Sequence, residues 1–388
     1  MKILHICQYY NDGYGYQENL LPRYQQKLGH EVLVVTSDRT SHFSASKKSQ
    51  KVNTGISKDF GVSVLRLPIS CEFKARFVIF KGLKEILEQE KPDYIFHHGL
   101  ASPSLITCAK YKRDNPSVFL AADNHADYHN SGKFYFFKML YYNLFWRNKL
   151  RKYFNYIDIF YSMTSNCMIF GEKELGVPKE KHYILHLGAD VERNFFSAEW
   201  RYKIREKYKF SNDDFVVVTA GKIDPGKKTD FLVKAIKELK EKRVKLLIVG
   251  SIEKEYEKIL DRIIDDDRIV KTGWVEAKEL YKFFSAADLA IFPGGQSAIW
   301  QQAVSCEIPL IIKYRPETEY LISQENGFFF FSDDALEITQ FINLCFKNPE
   351  ILDKMKKNTI KLRDDLLSYK VIARKSIFDT YSTKNINK

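Results

Sequence analysis

Two lysines five positions apart are the first residues in this chain whose type and spacing could do chemistry. Lys222 and Lys227 lie on the turn Gly221-Lys222-Ile223-Asp224-Pro225-Gly226-Lys227, after the apolar run Phe215 to Ala220 and before the periodic Phe231, Leu232, Ala235, Ile236 and Leu239. That order reads as a buried strand, a tight turn and an amphipathic helix. Open α/β sheets bind ligands at the carboxyl ends of their strands. A helix N-terminus attracts anions through its free N–H groups and its dipole, so the turn offers a phosphate cradle. With 61 Lys and Arg in the chain, the plainer alternative is a pair of solvated surface lysines. The same segment satisfies G-x-x-x-x-G-K, but Lys228 stands where a P-loop needs Ser or Thr for Mg²⁺. The later apolar run Leu246 to Val249 ends in Gly250 with no acid to support a metal. A P-loop is therefore excluded.

A second polar cluster, Asp123-Asn124-His125-Ala126-Asp127-Tyr128-His129, follows the apolar Val118 to Ala122. A parallel sheet places its chemistry at such a position, and a turn histidine bonded to backbone fits the same pattern.

These clusters need sheets to hold them. Lys2 to Cys7, the turn-rich Asn11 to Gly15, a helix from about Gln17 to Leu28 and Glu31 to Thr36 form a strand-loop-helix-strand unit, hence a parallel sheet. Its loop does not carry G-x-G-x-x-G after the strand, so a nicotinamide dinucleotide is not indicated. Asp38 to Asp59 reads as a long mobile loop and Phe73 to Gln89 as a helix. Further strands are expected at Val62 to Leu67, Tyr94 to His97, Ile157 to Met163 and Tyr183 to His186. After an irregular linker, a second series runs Phe215 to Ala220, Val244 to Gly250, Ile269-Val270, Leu289 to Phe292 and Leu310 to Ile312. A long last helix, about Pro349 to Tyr381, is expected to cross back to the first series.

The length of 388 residues suits two domains, and 45% hydrophobic residues supply their cores. A net charge of +12 calls for an anionic partner without choosing among nucleic acid, lipid and phosphorylated substrate. Six scattered cysteines show neither C-x-x-C nor metal-ligand spacing. The first strand begins at Lys2, so no signal peptide is expected, and no uncharged stretch reaches membrane-spanning length. The expected location is cytoplasmic, or peripheral on the inner face of the cell membrane. Lys133 to Phe154 mixes dense aromatics with Lys133, Lys138, Arg147, Lys149, Arg151 and Lys152. Rings and cations together suit an anionic headgroup layer, the expectation here; the alternative is a helix with its rings in the core and its cations in water.

Taken in order, the segments resemble the GT-B glycosyltransferases, specifically family 4 of the retaining enzymes. MKILHICQYY with GHEVLVVTSD is similar to the opening strands, and KELGVPKEKHYILHLGADVERNFF to the inter-domain passage. AGKIDPGKKTDFLVKAI resembles the donor-phosphate loop. RIVKTGWVEAKELYKFFSAADLAIFP and SCEIPLII resemble the family's segments downstream of that loop. The resemblance covers nearly the whole chain. It implies two Rossmann-like α/β domains facing across a cleft: 1–190 on the acceptor side, 191–365 for the nucleotide-sugar, and 366–388 as a helix returning to the first domain. Lys222 and Lys227 would bind the donor diphosphate, with Gly221 in that loop and Gly13 and Gly15 in the glycine loop nearby. His125 would lie at the sugar, Trp274 and Val275 beside the base, and Tyr14 and Asn124 on the acceptor side. The family's Glu-x7-Glu is missing: alignment puts Gly294 in the first slot and Gln302 in the second, and Glu307 replaces a glycine. Gln302 can hydrogen-bond but cannot take a proton. Gly295, Gln296 and Ser297 keep a flexible turn whose N–H groups could hold donor oxygens.

The implied function is retaining transfer of a sugar from a nucleotide-sugar to a cell-envelope glycan or lipid-linked acceptor. No metal, no other cofactor and no nucleic-acid partner are expected. The competing reading is a non-catalytic GT-B subunit that binds a glycan or a partner enzyme. A GT-B epimerase would need cleft acids that the sequence does not supply.

Overall fold

The computed structural model describes residues 1–40, 49–73, 77–131, 135–295 and 297–386, with side chains through Ile377. The chain divides into two compact units, Met1–His186 with Tyr369–Lys388, and Leu187–Ser368. Both are α/β units built on largely parallel sheets, as the sequence implied.

The first unit contains β1 (Lys2–Ile6), β2 (Glu31–Ser37), β3 (Gly55–Asp59), β4 (Val62–Leu67), β5 (Ile69–Phe73), β6 (Phe77–Phe80), β7 (Tyr94–His97), β8 (Phe119–Asn124), β9 (Ile159–Ser162) and β10 (His182–Ile184). Eight of them form one sheet in the order β10-β9-β8-β7-β1-β2-β4-β3. All pairs are parallel except β3 against β4 at the edge. Strand order reverses between β1 and β7, and the loops after those strands carry the Gly13–Gly15 turn and His98. Core side chains such as Leu4, Ile6, Ile95 and Leu120 are fully buried. Each such side chain is worth roughly 1.5–3 kcal/mol of transfer free energy. The last helix, Tyr369–Ile386, packs on the Gln17–Lys27 helix through Tyr369 stacked on Tyr24 with centroids 6.2 Å apart.

The second unit is a six-stranded parallel sheet: β11 (Phe215–Ala220), β12 (Val244–Val249), β13 (Ile269–Lys271), β14 (Leu289–Phe292), β15 (Leu310–Lys313) and β16 (Gly327–Phe330), ordered β13-β12-β11-β14-β15-β16. The reversal falls between β11 and β14. Every residue of β11 is buried, which explains its unbroken β-branched run: both faces are covered by helices. Asp288 anchors its start, accepting the Val216 N–H at 2.8 Å while pairing with Arg205 and Arg201 at 2.7 Å each.

Three expectations about elements change. Ile69–Phe73 and Phe77–Phe80 pair as an antiparallel hairpin where one helix was expected from Phe73. The helix begins only at Leu83, after Gly82 at φ 82°. The apolar Phe77-Val78-Ile79-Phe80 run is too β-branched and too short for its helical period to win, and Val78 is fully buried. The polar stretch after Asp38 ends in strand β3; residues 41–48 of that stretch lie outside the described residues. The long final helix is two helices, Pro349–Leu362 and Tyr369–Ile386, separated by a wide turn and an extended Ser368 that bridges Ala189.

Candidate active-site elements

In the second unit the turn after β11 is built by glycines that let backbones touch. Gly221 takes φ 126° and Gly250 φ 123°, and a Cβ on Gly250 would sit 2.0 Å from the Gly221 carbonyl oxygen. A Cβ on Gly294 would lie 2.1 Å from the Gly226 oxygen and 2.4 Å from the Lys227 Cα. The Gly295 N–H donates to the Gly226 oxygen at 3.1 Å, and Lys227 Nζ donates to the Gly295 oxygen at 2.8 Å. The loops after β11 and β14 are thus zipped together, and no side chain fits at Gly294. A glutamate at Gly294 would put its Cβ into the backbone of the lysine loop.

Lys222 is exposed with no hydrogen-bond or ion-pair partner among the described residues. Lys227 is half-buried; burial first, and then the nearby Arg315, lower its proton affinity, while Asp224 opposes them. Arg315 buries its Nε without a partner. The helix Thr229–Glu238 that follows is fixed at both ends. At its start Lys228 takes φ 51° and pairs with Asp333 at 2.7 Å. At its end the buried Arg268 donates to the carbonyls of Ile236 at 2.8 Å and Leu239 at 3.0 Å. Gln302 lies on the Ile299–Ser305 helix with its Oε1 buried and unpartnered. Ser297 opens that helix, its oxygen accepting the Trp300 N–H at 3.1 Å. Gln296 lies outside the described residues. Trp274 is 70% exposed on the turn after β13, beside Gly273 at φ 74°, and Val275 packs against the core. Glu307 takes φ 66°, so the position keeps the left-handed backbone a glycine would adopt, with the carboxylate held by Arg363 at 2.9 Å.

In the first unit the glycine loop is pinned by one carboxylate. Asp59 accepts from Gly13 N at 2.9 Å, Asn19 Nδ2 at 2.9 Å and Tyr10 Oη at 2.7 Å. Arg66 holds Asp12 at 2.8 Å. Tyr14 is exposed and stacks on Tyr16, and Gly15 beside it is exposed too. At the end of β8, Asn124 is buried; its amide donates to the oxygens of Cys167 at 2.7 Å and Ala126 at 3.1 Å and so shapes the turn carrying His125. His125, with a side chain 43% exposed, places Nε2 3.4 Å from Oδ2 of the fully buried Asp123. Burial works against a charged His125, but Asp123 prevails and raises its pKa. Asp123 also accepts from His98 Nδ1 at 2.9 Å. Asp59, His98 and Arg315 were not singled out in the sequence, and Asp123 was named only as the first residue of the polar cluster that contains His125. The available signal for His98 was its place directly after β7; Asp59 and Arg315 had none.

The aromatic-basic segment forms continuous helix from Tyr135 to Arg151 with a wide-turn middle, Lys138–Trp146. Tyr142, Trp146 and Leu150 are buried, while Phe136 (74%), Leu140 (57%) and Leu144 (52%) are exposed. Lys138 is not a free surface cation: it pairs with Glu174 at 3.0 Å. Lys133 lies outside the described residues. No helix among the described residues is long and apolar enough to cross a membrane. No group of three or more His, Cys, Asp or Glu side chains among them could hold a metal ion.

Comparison with known proteins accounts for both units. Residues 20–193 match glycosyltransferase family 4, and residues 201–362 match the group 1 glycosyl transferases. The alpha-monoglucosyldiacylglycerol synthase of Acholeplasma laidlawii is 23% identical over 354 residues, 86% of this chain and 84% of that protein. Among solved structures, Anabaena HepE in complex with UDP superposes with a TM-score of 0.70 at 16% identity, covering 99% of this chain and 100% of that one. A glycosyltransferase from Rickettsia africae gives a TM-score of 0.68 at 13% identity, covering 98% of each chain. With lysine and glycine loops at the switch points of two Rossmann-like units, the chain belongs to the family 4 and group 1 glycosyltransferases of GT-B fold.

Proposed function

We propose that the protein transfers a sugar from a nucleoside-diphosphate sugar, with retention of configuration, to a cell-envelope glycan or lipid-linked acceptor. The observation that carries this reading is the lysine loop: one free lysine, Lys222, and one half-buried lysine, Lys227, on a backbone locked by Gly250 and Gly294. Such preorganised cations stabilise the charge that develops on a departing diphosphate. Arg315 adds a third cation near Lys227. With three cations on the leaving group, no divalent metal is required. Gln302 serves the ribose or reacting centre as a hydrogen-bonding group. Trp274 and Val275 flank the base, and Gly221, Gly295, Gln296 and Ser297 supply backbone around the donor, as do Gly13 and Gly15 in the first unit. His125 donates to the sugar, and Tyr14 meets the acceptor. No carboxylate is assigned as nucleophile, so the route is a front-face displacement with the leaving phosphate as base.

HepE is described bound to UDP and to UDP-glucose, which makes UDP-sugars the first donors to try. The A. laidlawii relative is named for a glycolipid product, which favours a lipid-linked acceptor. The exposed Phe136, Leu140 and Leu144 with Lys149, Arg151 and Lys152 nearby fit an anionic lipid surface. Thermal shift against a panel of nucleotide-sugars, then product analysis by NMR for anomeric configuration and with and without a chelator, tests the reaction. No shift with any nucleotide would favour a non-catalytic GT-B subunit instead, a reading motivated by the missing glutamates. Replacing Lys149, Arg151 and Lys152 with Glu should weaken sedimentation with phosphatidylglycerol vesicles; unchanged sedimentation makes the helix purely structural.

A further inference from the structure

The glycine loop of the first unit is fastened along its length by groups that the sugar-transfer reading does not use. From the β5–β6 hairpin, the Val78 N–H donates to Gln8 Oε1 at 3.2 Å, and Glu72 accepts from the Tyr9 hydroxyl at 2.9 Å. From β4, the buried Arg66 donates to the Tyr10 oxygen at 3.3 Å and to Asp12 at 2.8 Å. Asp59, the last residue of β3, divides its carboxyl oxygens. Oδ2 accepts from the Tyr10 hydroxyl at 2.7 Å and from Asn19 Nδ2 at 2.9 Å. Oδ1 is left for the Gly13 N–H, 2.9 Å away. Gly13 is left-handed at φ 79°, and a Cβ there would meet nothing within 4 Å. Backbone conformation, not space, therefore calls for glycine. Beyond this last fastening, the N–H groups of Tyr14 and Gly15 have no hydrogen-bond partner among the described residues.

The carboxyl of Asp59 is aimed by a costly turn. β3 and β4 are joined through two residues only, with Asp59 opposite Val62. Both of those residues, Phe60 at φ 49° and Gly61 at φ 85°, are left-handed. Such a turn suits Asn-Gly or Asp-Gly, and a phenylalanine in it is strained. Arg23, on the helix that follows the glycine loop, lies 5.5 Å from the centre of the Phe60 ring. Backbone strain persists only where the surroundings over-determine it, and it gathers at functional sites. Here the strained turn sets the side chain that holds Gly13.

We propose that Asp59 is a positioning residue for donor binding: holding the Gly13 N–H from the buried side, it fixes the loop so that the Tyr14 and Gly15 N–H groups are ready for the donor diphosphate. The proposal rests on the reading of Gly13 and Gly15 as donor contacts. Successive free N–H groups beside a left-handed residue form an anion-binding concavity, and a loop already ordered binds without the entropy cost of ordering it. The charge of the carboxylate by itself would repel a diphosphate. Charge and positioning therefore predict opposite effects of removing it.

The test is calorimetry of the full-length protein with UDP and with uridine. Asp59→Ala is expected to weaken UDP binding by about tenfold and to leave uridine binding nearly unchanged. Asp59→Asn keeps an oxygen for Gly13 but a weaker acceptor, and should weaken UDP binding by about threefold. It serves alone if Asp59→Ala does not fold. Leu87→Ala truncates a fully buried side chain of the Leu83–Glu90 helix; as the control for lost stability, it should bind UDP as wild type does. Hydrogen exchange on ¹⁵N-glycine-labelled protein adds a readout without ligand. The Gly13 amide should exchange at least about tenfold more slowly in wild type than in Asp59→Ala. UDP binding that is unchanged or tightened in the folded Asp59 variants overturns the proposal, as does an equal loss in Leu87→Ala. If Gly13 is released while UDP binding does not move, the fastening is structural and the positioning role fails. A wild-type protein that binds no nucleoside diphosphate removes the donor reading itself, and the proposal with it.

Discussion

In the second unit the candidate phosphate loop is held by main chain against main chain, with Gly294 on Gly226 and Lys227, and Gly250 on Gly221. In the first unit the candidate sugar-side group is held by side chain against side chain, Asp123, His98 and His5 in sequence behind His125. All nine histidines fall within residues 1–186 and none in the second unit. Backbone contacts leave a loop's charge insensitive to pH and sensitive to any added atom. A buried histidine network has the opposite weakness: it tolerates volume changes at its edges but responds to protons.

Acid should separate the units most strongly. His5 and His97 have pKa values pushed down to about 3, and His182 and His186 to about 4, chiefly by burial. Their unfolded pKa values lie near ~6.5, so the unfolded state binds more protons below that pH. Their stabilising contribution is complete above about pH 6.5 and is lost as pH falls toward the folded values, each by up to about 1.4 kcal/mol per pH unit. His125 and Glu18, with their pKa values raised, work in the opposite direction but are two groups against four. Hydrogen exchange between pH 7 and 4.5 should therefore show the first unit losing several kcal/mol. The second should lose far less over that interval. Equal losses would break the comparison.

Next in size is Gly294→Glu, which restores the family's acid on paper. Its Cβ would enter the backbone of Gly226 and Lys227. Diphosphate affinity should fall by more than about 3 kcal/mol while the second unit stays folded, because overpacking there moves a surface loop and not the core. Calorimetry with UDP reads this directly; preserved affinity would show that the loop adapts.

Lys222→Ala and Lys227→Ala should each cost roughly 1.5–3 kcal/mol in UDP binding and leave uridine binding nearly unchanged. Lys227→Ala should also loosen the loop after β14, because its Nζ bonds the Gly295 oxygen. If both variants bind UDP as wild type does, the phosphate assignment falls.

The smallest change is expected at Gln302, whose Oε1 is buried without a partner. Gln302→Ala should reduce turnover by about tenfold, the loss of one hydrogen bond, without altering UDP affinity. Gln302→Glu, equal in length, should raise turnover if the slot still works as it does in the family. Unchanged turnover in both variants would remove Gln302 from the reaction.

Most strands of the two large sheets, the two-series organisation and the lysine loop were legible because they are local. An unbroken Val216-Val217-Val218 run requires a strand covered on both faces, and Gly221 with Gly226 requires a turn, whatever surrounds them. The aromatic segment was legible only in outline. Composition dictates that its rings need somewhere apolar, whereas tertiary packing decides that Trp146 is buried and Phe136 is not. The same holds for Lys138, whose charge is given by its type and whose partner, Glu174, is 36 positions away.

What tertiary structure alone decided is which polar groups share a proton and which glycines are obligatory. Gly294 looks in the sequence like the loss of a functional glutamate. Only the approach of Gly226, 68 positions earlier, shows that no side chain can stand there. His98 reads as one polar residue after a strand until β1, β7, β8 and the C-terminal helix bring His5, Asp123, Gln25 and Ser376 into line. Secondary structure follows from the sequence because propensity and periodicity act over a few residues. Hydrogen-bond bookkeeping and steric exclusion act over a few ångströms, and those distances exist only once the chain has folded.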